Sequence, residues 1–152
     1  MPQSYLNLYY HLVFAVKNRD SVIRPDFQNR IYSYIRRIFE SQGHHVIQIG
    51  GMDDHLHILF CANNTISLSD IVREVKACSS KWINEQRFFK CRFAWQSGYG
   101  IFTVSYWGLD KVKNYIRNQE IHHLNKPFLI EFREMLRMCG RTINDDEFGV
   151  IE

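Results

Sequence analysis

The chain lacks the features that mark secreted or membrane-spanning proteins. Its four cysteines, Cys61, Cys78, Cys91 and Cys139, form no C-x-x-C pair and no framework typical of a small disulfide-rich domain. No basic segment leads into a long apolar run, because the apolar stretch at 12–16 is too short for a signal peptide or a membrane helix. These absences predict reduced thiols and a cytoplasmic protein.

Proline is scarce as well. The three prolines among 152 residues, Pro2, Pro25 and Pro127, lie at chain ends or at the starts of predicted elements, so no proline-rich linker divides the chain. With 45% hydrophobic residues, a chain of this length can bury one good core and has no room for a second domain. We therefore predict one domain over residues 1–152, with a core at about 6–124 and a C-terminal helix and tail at 125–152.

An excess of charge of one sign is also missing. The formal net charge of +3 permits nucleic-acid binding, but it is too small to argue for it. The basic residues are scattered along the sequence, so an ordinary solvated surface explains the net charge better than nucleic-acid binding does. The sequence contains no G-x-x-x-x-G-K-[ST] phosphate-binding loop. It therefore gives no indication of chemistry driven by a bound nucleotide.

The apolar pattern predicts an α+β protein. We expect strands at about 8–16, 45–50 and 99–105, a further strand carrying His55 and His57, and helices at about 25–41, 65–86, 107–122 and 127–139. This order, with a hairpin in the middle, is typical of a ferredoxin-like (RRM-like) antiparallel sheet. Helices packed on one face would leave the other face of the sheet open for a ligand.

The segment His55-Leu56-His57 is the most informative part of the sequence. Side chains alternate across a strand, so His55 and His57 share one face while Leu56 points to the other. Two imidazoles one strand repeat apart can bind a common divalent cation, although a lone H-x-H pair is more often an exposed polar face. Tyr115 and Gln119 lie one helical turn apart in the predicted helix at 107–122, on the same helix face.

These residues, together with several other segments, resemble the HUH single-tyrosine transposases (the insertion-sequence-200/605-like family), in which U is any hydrophobic residue. The resemblance extends from about residue 9 to residue 123. Its motifs, in chain order, are His11-Leu12-Val13-Phe14, Lys17-Asn18-Arg19, Ile49-Gly50-Gly51, Asp54-His55-Leu56-His57, Ser79-Ser80-Lys81-Trp82, Trp95-Gln96-Ser97-Gly98-Tyr99-Gly100-Ile101-Phe102 and Asn114-Tyr115-Ile116-Arg117-Asn118-Gln119-Glu120-Ile121-His122-His123.

The resemblance implies a single-strand DNA transposase that cleaves and rejoins hairpin-bearing ends of a mobile element. Tyr115 would be the attacking nucleophile, which yields a 5′-phosphotyrosine and a free 3′-hydroxyl. His55, His57 and Gln119 would hold a divalent metal ion, Mg or Mn in this family, although imidazole ligands also suit nickel or zinc. Asp54 would either contact a histidine ring from outside or be an ordinary turn residue.

The resemblance also implies partners. These are single-stranded DNA hairpins and a second copy of the chain in a two-fold dimer, in which the tyrosine helix of one subunit can serve the histidines of its partner. Lys81, Tyr99, Lys111 and Arg117 are the candidate DNA contacts, although each is individually consistent with a solvated surface residue.

Three alternatives stay open at this stage. A domesticated, repeat-associated relative that processes chromosomal hairpins would keep the same site. Rolling-circle initiators and relaxases share the H-U-H pair, but the short chain and the downstream Tyr-x-x-x-Gln favour a transposase. A nucleic-acid-binding module without chemistry could use the same fold, although the K/R-G-F/Y-G/A-F-V-x-F/Y segment of RNA-recognition domains is missing.

Overall fold

A computed structural model of the chain describes residues 3–17, 22–122 and 126–141. Asn18 and Arg19 of the predicted basic motif, His123 and the predicted tail at 142–152 lie outside the described residues. The elements are β1 (Tyr9–Ala15), α1 (Pro25–Ser41), β2 (His45–Gly51), β3 (His55–Cys61), α2 (Leu68–Gln86), β4 (Gly100–Val104), α3 (Leu109–Arg117), α4 (Gln119–His122) and α5 (Phe128–Met138). Within the described part of the chain, no helix is long and apolar enough to cross a membrane.

The four strands form one antiparallel sheet in the order β2-β3-β1-β4. Strand β1 is central and pairs with β3 along its whole length, from Tyr9 opposite Cys61 to Ala15 opposite His55. Its other side pairs with β4, which leaves β2 and β4 as the edge strands. The predicted ferredoxin-like α+β architecture is confirmed.

Helices α1 and α2 cover one face of the sheet and form the main core with it. Helix α1 begins at Pro25, whose fixed φ suits the first helical turn, and buries residues at spacings of four and three. Helix α2 begins after Ser67, whose hydroxyl oxygen accepts a hydrogen bond from the Asp70 amide at 3.2 Å. The buried core residues include Leu12, Phe14, Ile31, Ile35, Leu56, Ile58, Phe60, Ile71, Val72 and Val75.

The opposite face is not open, so that part of the prediction is wrong for this structure. Val13 and Ala15 of β1 pack against Phe128 of α5, and Phe132 lies beside them. The reason is the strand's own composition, because β1 is apolar on both faces and both faces therefore need cover. The sequence predicted the helix but gave no indication of the surface on which it packs.

The helix that carries Tyr115 is also different from the prediction. A continuous helix at 107–122 was expected, but a 3₁₀ turn (Tyr106–Gly108) leads into α3, and Asn118 interrupts the chain before α4. Asn118 has φ −99° and ψ 24°, outside the α-helical region, and asparagine favours turns because its amide competes with backbone hydrogen bonds. Tyr115 and Gln119 therefore lie on two successive helices, not on one.

Gly50 of β2 permits α3 to lie close to the sheet. A Cβ atom at this position would come within 2.7 Å of the backbone carbonyl oxygen of Ile116. Gly50→Ala should therefore lower the free energy of unfolding by about 1–3 kcal/mol, because the added methyl forces α3 away from β2. Urea denaturation followed by circular dichroism measures this loss.

Gly108→Ala is the matched control for this substitution. Its added methyl would meet the Ser105 hydroxyl at 3.2 Å and the Val104 side chain at 3.8 Å, with no backbone atom in the way, and the backbone φ of −92° suits alanine. We expect a change of less than about 0.5 kcal/mol for this variant. Equal losses in the two variants would mean that the close approach of α3 does not limit position 50.

Candidate active site

His55 and His57 lie fully buried on the face of the sheet that α5 covers. The alternation predicted from the sequence is present, because Leu56 and Ile58 of the same strand point into the opposite core. The two imidazole ring centroids are 5.1 Å apart, so both rings border the same small volume.

Each of the two rings is held through its Nδ1 atom. His55 Nδ1 lies 2.7 Å from Asp54 Oδ1, and His57 Nδ1 lies 2.7 Å from His11 Nε2. Partners of this kind fix the orientation of an imidazole, and here they leave both Nε2 atoms directed into the site. Of the two interpretations given for Asp54, the contact with a histidine ring is the one observed.

His11 belongs to the same cluster, although its sequence pattern did not decide between the site and solvent. It is buried on β1, and its ring centroid lies 5.0 Å from that of His57. Burial, and then the neighbouring His57, lower the pKa of His11 to about 3, while Glu131 opposes the shift. His11 is therefore a neutral hydrogen-bonding group at neutral pH.

Glu131 of α5 is the site residue that the sequence analysis missed. Its Oε1 atom lies 2.8 Å from His57 Nε2, and its Oε2 atom lies 3.8 Å from His55 Nε2. Burial alone would raise the pKa of Glu131, but the hydrogen bond and charge of His57, the hydroxyl of Tyr115 and the charge of His55 lower it to about 2. The carboxylate is therefore ionised although only 3% of the residue is exposed.

One feature of the sequence could have identified Glu131. Phe128, Phe132 and Met135 lie four and three residues apart and form the apolar stripe by which α5 contacts the sheet. Glu131 lies one helical turn after Phe128 and directly before Phe132, within this stripe. An acidic residue on the buried face of a helix rarely lacks a polar partner. Glu131 therefore predicts polar side chains on the surface against which α5 packs.

Tyr115 and Gln119 both reach the cluster despite the break at Asn118. The Tyr115 hydroxyl donates a hydrogen bond to Glu131 Oε1 at 2.6 Å, and its ring centroid lies 5.8 Å from that of His57. The buried Gln119 side chain places its Oε1 atom 3.1 Å from His55 Nε2. Histidines, tyrosine and glutamine of one and the same chain thus lie together.

The surroundings of Tyr115 keep its hydroxyl protonated. Burial, and then the hydrogen bond and charge of Glu131, raise the pKa of Tyr115 above its ordinary value, against a smaller opposite effect of Gln119. In this arrangement the side chain is a neutral phenol that donates to a carboxylate.

The four candidate DNA contacts are exposed and lie outside this cluster. Lys81 is on α2, Tyr99 is in the loop before β4, and Arg117 ends α3. Of the four, Lys111 lines a cavity of about 570 Å³ that Tyr115 also borders. This cavity lies between β4, α3 and α5.

The cluster fits a divalent metal ion. His55, His57 and Glu131 offer ligand atoms that all lie within 4.8 Å of one another. The Gln119 amide oxygen lies beside them, at 3.1 Å from His55 Nε2. Two imidazole nitrogens with carboxylate and amide oxygens form a mixed donor set that accepts several divalent cations and selects none of them.

The sequence is similar to known transposases. The sequence profile of the family described as "Transposase IS200 like" matches residues 4–119. The ISDra2 transposase TnpA of Deinococcus radiodurans is 27% identical over 118 residues, which cover 74% of this chain and 84% of that protein. The transposase for insertion sequence element IS200 of Salmonella typhimurium is 28% identical over 118 residues, with 74% and 77% of the two chains covered.

Solved structures share the fold. A crystal structure from Deinococcus radiodurans R1, described provisionally as that of a transposase, superimposes with a TM-score of 0.61 at 24% identity and covers 78% of this chain and 96% of its own. A REP-associated tyrosine transposase bound to a REP hairpin gives a TM-score of 0.61 at 13% identity, with 82% and 73% covered. The resemblance proposed from the motifs is confirmed by the profile match over most of the chain, and the protein belongs to the IS200-like transposase family of DNA transposases.

Proposed function

We propose that the protein cleaves and rejoins single-stranded DNA at hairpin-bearing ends of a mobile element, through a 5′-phosphotyrosine intermediate. One observation carries this proposal: the Tyr115 hydroxyl lies in a single buried cluster with two imidazoles, a carboxylate and an amide. Breaking a phosphodiester requires a nucleophile, neutralisation of charge on the phosphate, and stabilisation of the leaving oxygen. The cluster contains groups suited to each of these tasks.

In the proposed cleavage step, the Tyr115 oxygen attacks the phosphorus and the bond from phosphorus to the 3′-oxygen breaks. The 5′-phosphate becomes joined to Tyr115, and the 3′-oxygen takes up a proton from water and leaves as a hydroxyl. Glu131 accepts the hydrogen bond of the phenol at 2.6 Å and so positions the Tyr115 oxygen in the cluster, while the phenol proton passes to water as the attack proceeds. Attack by another 3′-hydroxyl on the phosphotyrosine reverses the step, and rejoining therefore needs neither water nor a nucleotide.

We assign His55, His57, Gln119 and Glu131 as the residues that hold a divalent metal ion. The bound ion would act as a Lewis acid that neutralises the phosphate and stabilises the leaving 3′-oxygen. The family resemblance implies Mg²⁺ or Mn²⁺, and two imidazole ligands favour Mn²⁺ of these two. The contacts of His11 and Asp54 with the ring Nδ1 atoms would orient both histidines for the ion.

DNA has to enter this site from the side of Tyr115. His55 and His57 have no exposed surface, and the Phe128 ring stacks on His55 with a centroid distance of 4.3 Å. Tyr115, in contrast, borders the cavity of about 570 Å³ that also contacts His11 and Lys111. We infer that the strand approaches through this cavity and that α5 shifts outward to admit the phosphate.

Tyr115→Phe should abolish formation of the covalent protein–DNA adduct, because it removes only the attacking oxygen. Binding of metal and DNA should persist, since neither depends on that hydroxyl. The adduct is measured by denaturing gel electrophoresis with a labelled single strand that carries the hairpin end and its flank. Tyr5→Phe, which alters an exposed tyrosine that is not a candidate DNA contact, should form the adduct like the wild type. An adduct in Tyr115→Phe would identify another nucleophile.

His57→Ala and Glu131→Gln should each weaken Mn²⁺ binding by at least about tenfold, because loss of a metal ligand costs at least as much as loss of an outer partner. Isothermal titration with MnCl₂ measures the affinity, and cleavage should fall in parallel. Glu134→Gln on the same helix is the control, because Glu134 is exposed and pairs with Lys126. Wild-type Mn²⁺ affinity in Glu131→Gln would exclude that carboxylate as a ligand.

We further propose that two copies form a two-fold dimer, because transposition has to hold two DNA ends at once. Strand β4 is an edge strand with one side unpaired in the described sheet, and an unpaired edge is suited to an isologous interface. The chain that follows β4 presents Tyr106 and Trp107, which are 59% and 86% exposed, with ring centroids 4.7 Å apart. Exposed aromatic pairs of this kind are enriched at interfaces.

The described chain holds its own tyrosine beside its own histidines. Transfer of α3 to the partner requires a pivot between β4 and α3, where Gly108 is a suitable position. Mixing His57→Ala protein with Tyr115→Phe protein should restore cleavage, because a crossed mixed dimer contains one intact site. Native mass spectrometry verifies that mixed dimers form. Mixed dimers without activity would show that histidines and tyrosine act within one chain.

Two further expectations from the sequence stay predictions: a cytoplasmic location and one catalytic domain over residues 1–152. The choice between a mobile element and a domesticated, repeat-associated copy depends on the DNA around the gene. Imperfect palindromes at both ends would support the mobile form, whereas scattered chromosomal copies of one palindrome would support the domesticated one.

A further inference from the structure

One ring nitrogen of His11 is not used within the histidine cluster. The Nε2 atom of His11 lies 2.7 Å from His57 Nδ1, whereas Nδ1 of His11 has no hydrogen-bond partner among the residues that the structure describes. This nitrogen is not sealed in the interior either, because His11 lines the cavity of about 570 Å³ that Tyr115 also borders. Nδ1 of His11 therefore faces the space that we assign to the entering DNA strand.

The imidazole of His11 is held in a fixed position by its neighbours. His11 lies on the central strand β1, where it pairs with Leu59 of β3 on one side and with Phe102 of β4 on the other. The rings of Phe102 and Tyr115 each lie 6.3 Å from the His11 ring, measured between centroids. A group that is already oriented loses little entropy when it binds a ligand, so Nδ1 is suited to a direct contact with the substrate.

The contact with His57 determines which nitrogen of His11 carries the proton. A neutral imidazole has one N–H and one bare nitrogen, so a histidine that binds a metal ion through Nε2 keeps its proton on Nδ1. With His57 assigned as a metal ligand, its Nδ1 donates to Nε2 of His11. Two buried rings in contact at 2.7 Å disfavour a charge on both, so His11 stays neutral and its own proton lies on Nδ1. The atom that faces the cavity is therefore a hydrogen-bond donor.

A buried N–H donor beside the nucleophile suits an anionic oxygen. The non-bridging oxygens of a phosphate accept hydrogen bonds, and donors aimed at them stabilise the charge that develops during attack. Such a donor is stronger where water is excluded, and His11 is buried. The other residues of the cavity wall that carry a side-chain nitrogen or oxygen, apart from Tyr115, are all exposed: Thr103, Lys111, Asn114 and Asn118.

We propose that His11 is a catalytic residue, which donates a hydrogen bond from Nδ1 to a non-bridging oxygen of the phosphate at which the strand is cleaved. This inference rests on the proposed function. The proton stays on the imidazole throughout, and the hydrogen bond strengthens as negative charge grows on the phosphate oxygen. His11 thereby connects a metal-binding histidine with the phosphate, in addition to orienting His57.

Two substitutions separate this role from mere support of His57. The amide oxygen of glutamine is as many bonds from Cα as Nε2 of histidine, and the amide nitrogen of asparagine is as many as Nδ1. His11→Gln therefore keeps an acceptor for His57 and loses the donor to the phosphate, whereas His11→Asn keeps the donor and loses the acceptor. His45→Gln, which alters an exposed histidine at the start of β2, is the control and should behave like the wild type.

At saturating Mn²⁺, His11→Gln should form the Tyr115 adduct about 100-fold more slowly in a single turnover, because it lacks one preorganised donor. Its Mn²⁺ affinity, measured by isothermal titration, should stay close to that of the wild type. His11→Asn should cleave faster than His11→Gln but bind Mn²⁺ about tenfold more weakly, because the orienting partner of His57 is lost. The reverse order of cleavage rates would overturn the proposal, since it would show that His11 only supports His57.

A second measurement needs neither cleavage nor a folded His11 variant. In Tyr115→Phe protein labelled with ¹⁵N-histidine and loaded with diamagnetic Mg²⁺, nuclear magnetic resonance should show the His11 proton on Nδ1. That signal should shift when the single strand with its hairpin end is added. A proton on Nε2, or an Nδ1–H signal that the strand does not move, would overturn the proposal. Failure of the proposed function would instead appear as a wild-type protein that forms no Tyr115 adduct.

Discussion

The buried carboxylate of Glu131 connects the C-terminal helix to the rest of the molecule. An ionised carboxylate with 3% exposure would be costly without partners, and here it has His57 Nε2 at 2.8 Å and the Tyr115 hydroxyl at 2.6 Å. These two contacts join α5, β3 and α3, which are distant in sequence. The position of Tyr115 relative to the histidines therefore depends on α5 as well as on its own helix.

The apolar contacts around this carboxylate differ from its hydrogen bonds, because they hold α5 on the sheet without fixing its exact position. Phe128, Phe132 and Met135 cover Val13 and Ala15 of β1. Burial of these apolar side chains holds α5 on the sheet, and the polar cluster around Glu131 aligns it. Burial supplies most of the free energy of such packing but has little directionality, whereas the hydrogen bonds fix the register. Displacement of α5 by DNA would lose the apolar contacts as well as the hydrogen bonds of Glu131. Interactions of the phosphate and the metal ion with the site would have to compensate for this loss.

Sequence reasoning succeeded where the pattern is local. The alternation of β3, the apolar stripe of α1 and the serine cap of α2 depend on near neighbours, and all three are present in the structure. Sequence reasoning failed where packing between distant segments determines the structure. Neither the cover that α5 gives to the histidine face nor the partnership of His11 with His57 has a local pattern, because each joins residues that only the sheet topology brings together. The break at Asn118 was a local feature, and a helix-breaking asparagine could have predicted it.

The central position of β1 has a consequence for synthesis of the chain. β1 is made before both of its partners, and β4 ends only at Val104, so the four-stranded sheet cannot be completed until roughly two thirds of the 152 residues have been translated. The surface formed by Val13, Ala15 and Phe102 stays uncovered still longer, because α5, which covers it, is the last described helix to be synthesised. During that interval the nascent chain carries an exposed apolar surface, and surfaces of this kind make incomplete chains prone to aggregation.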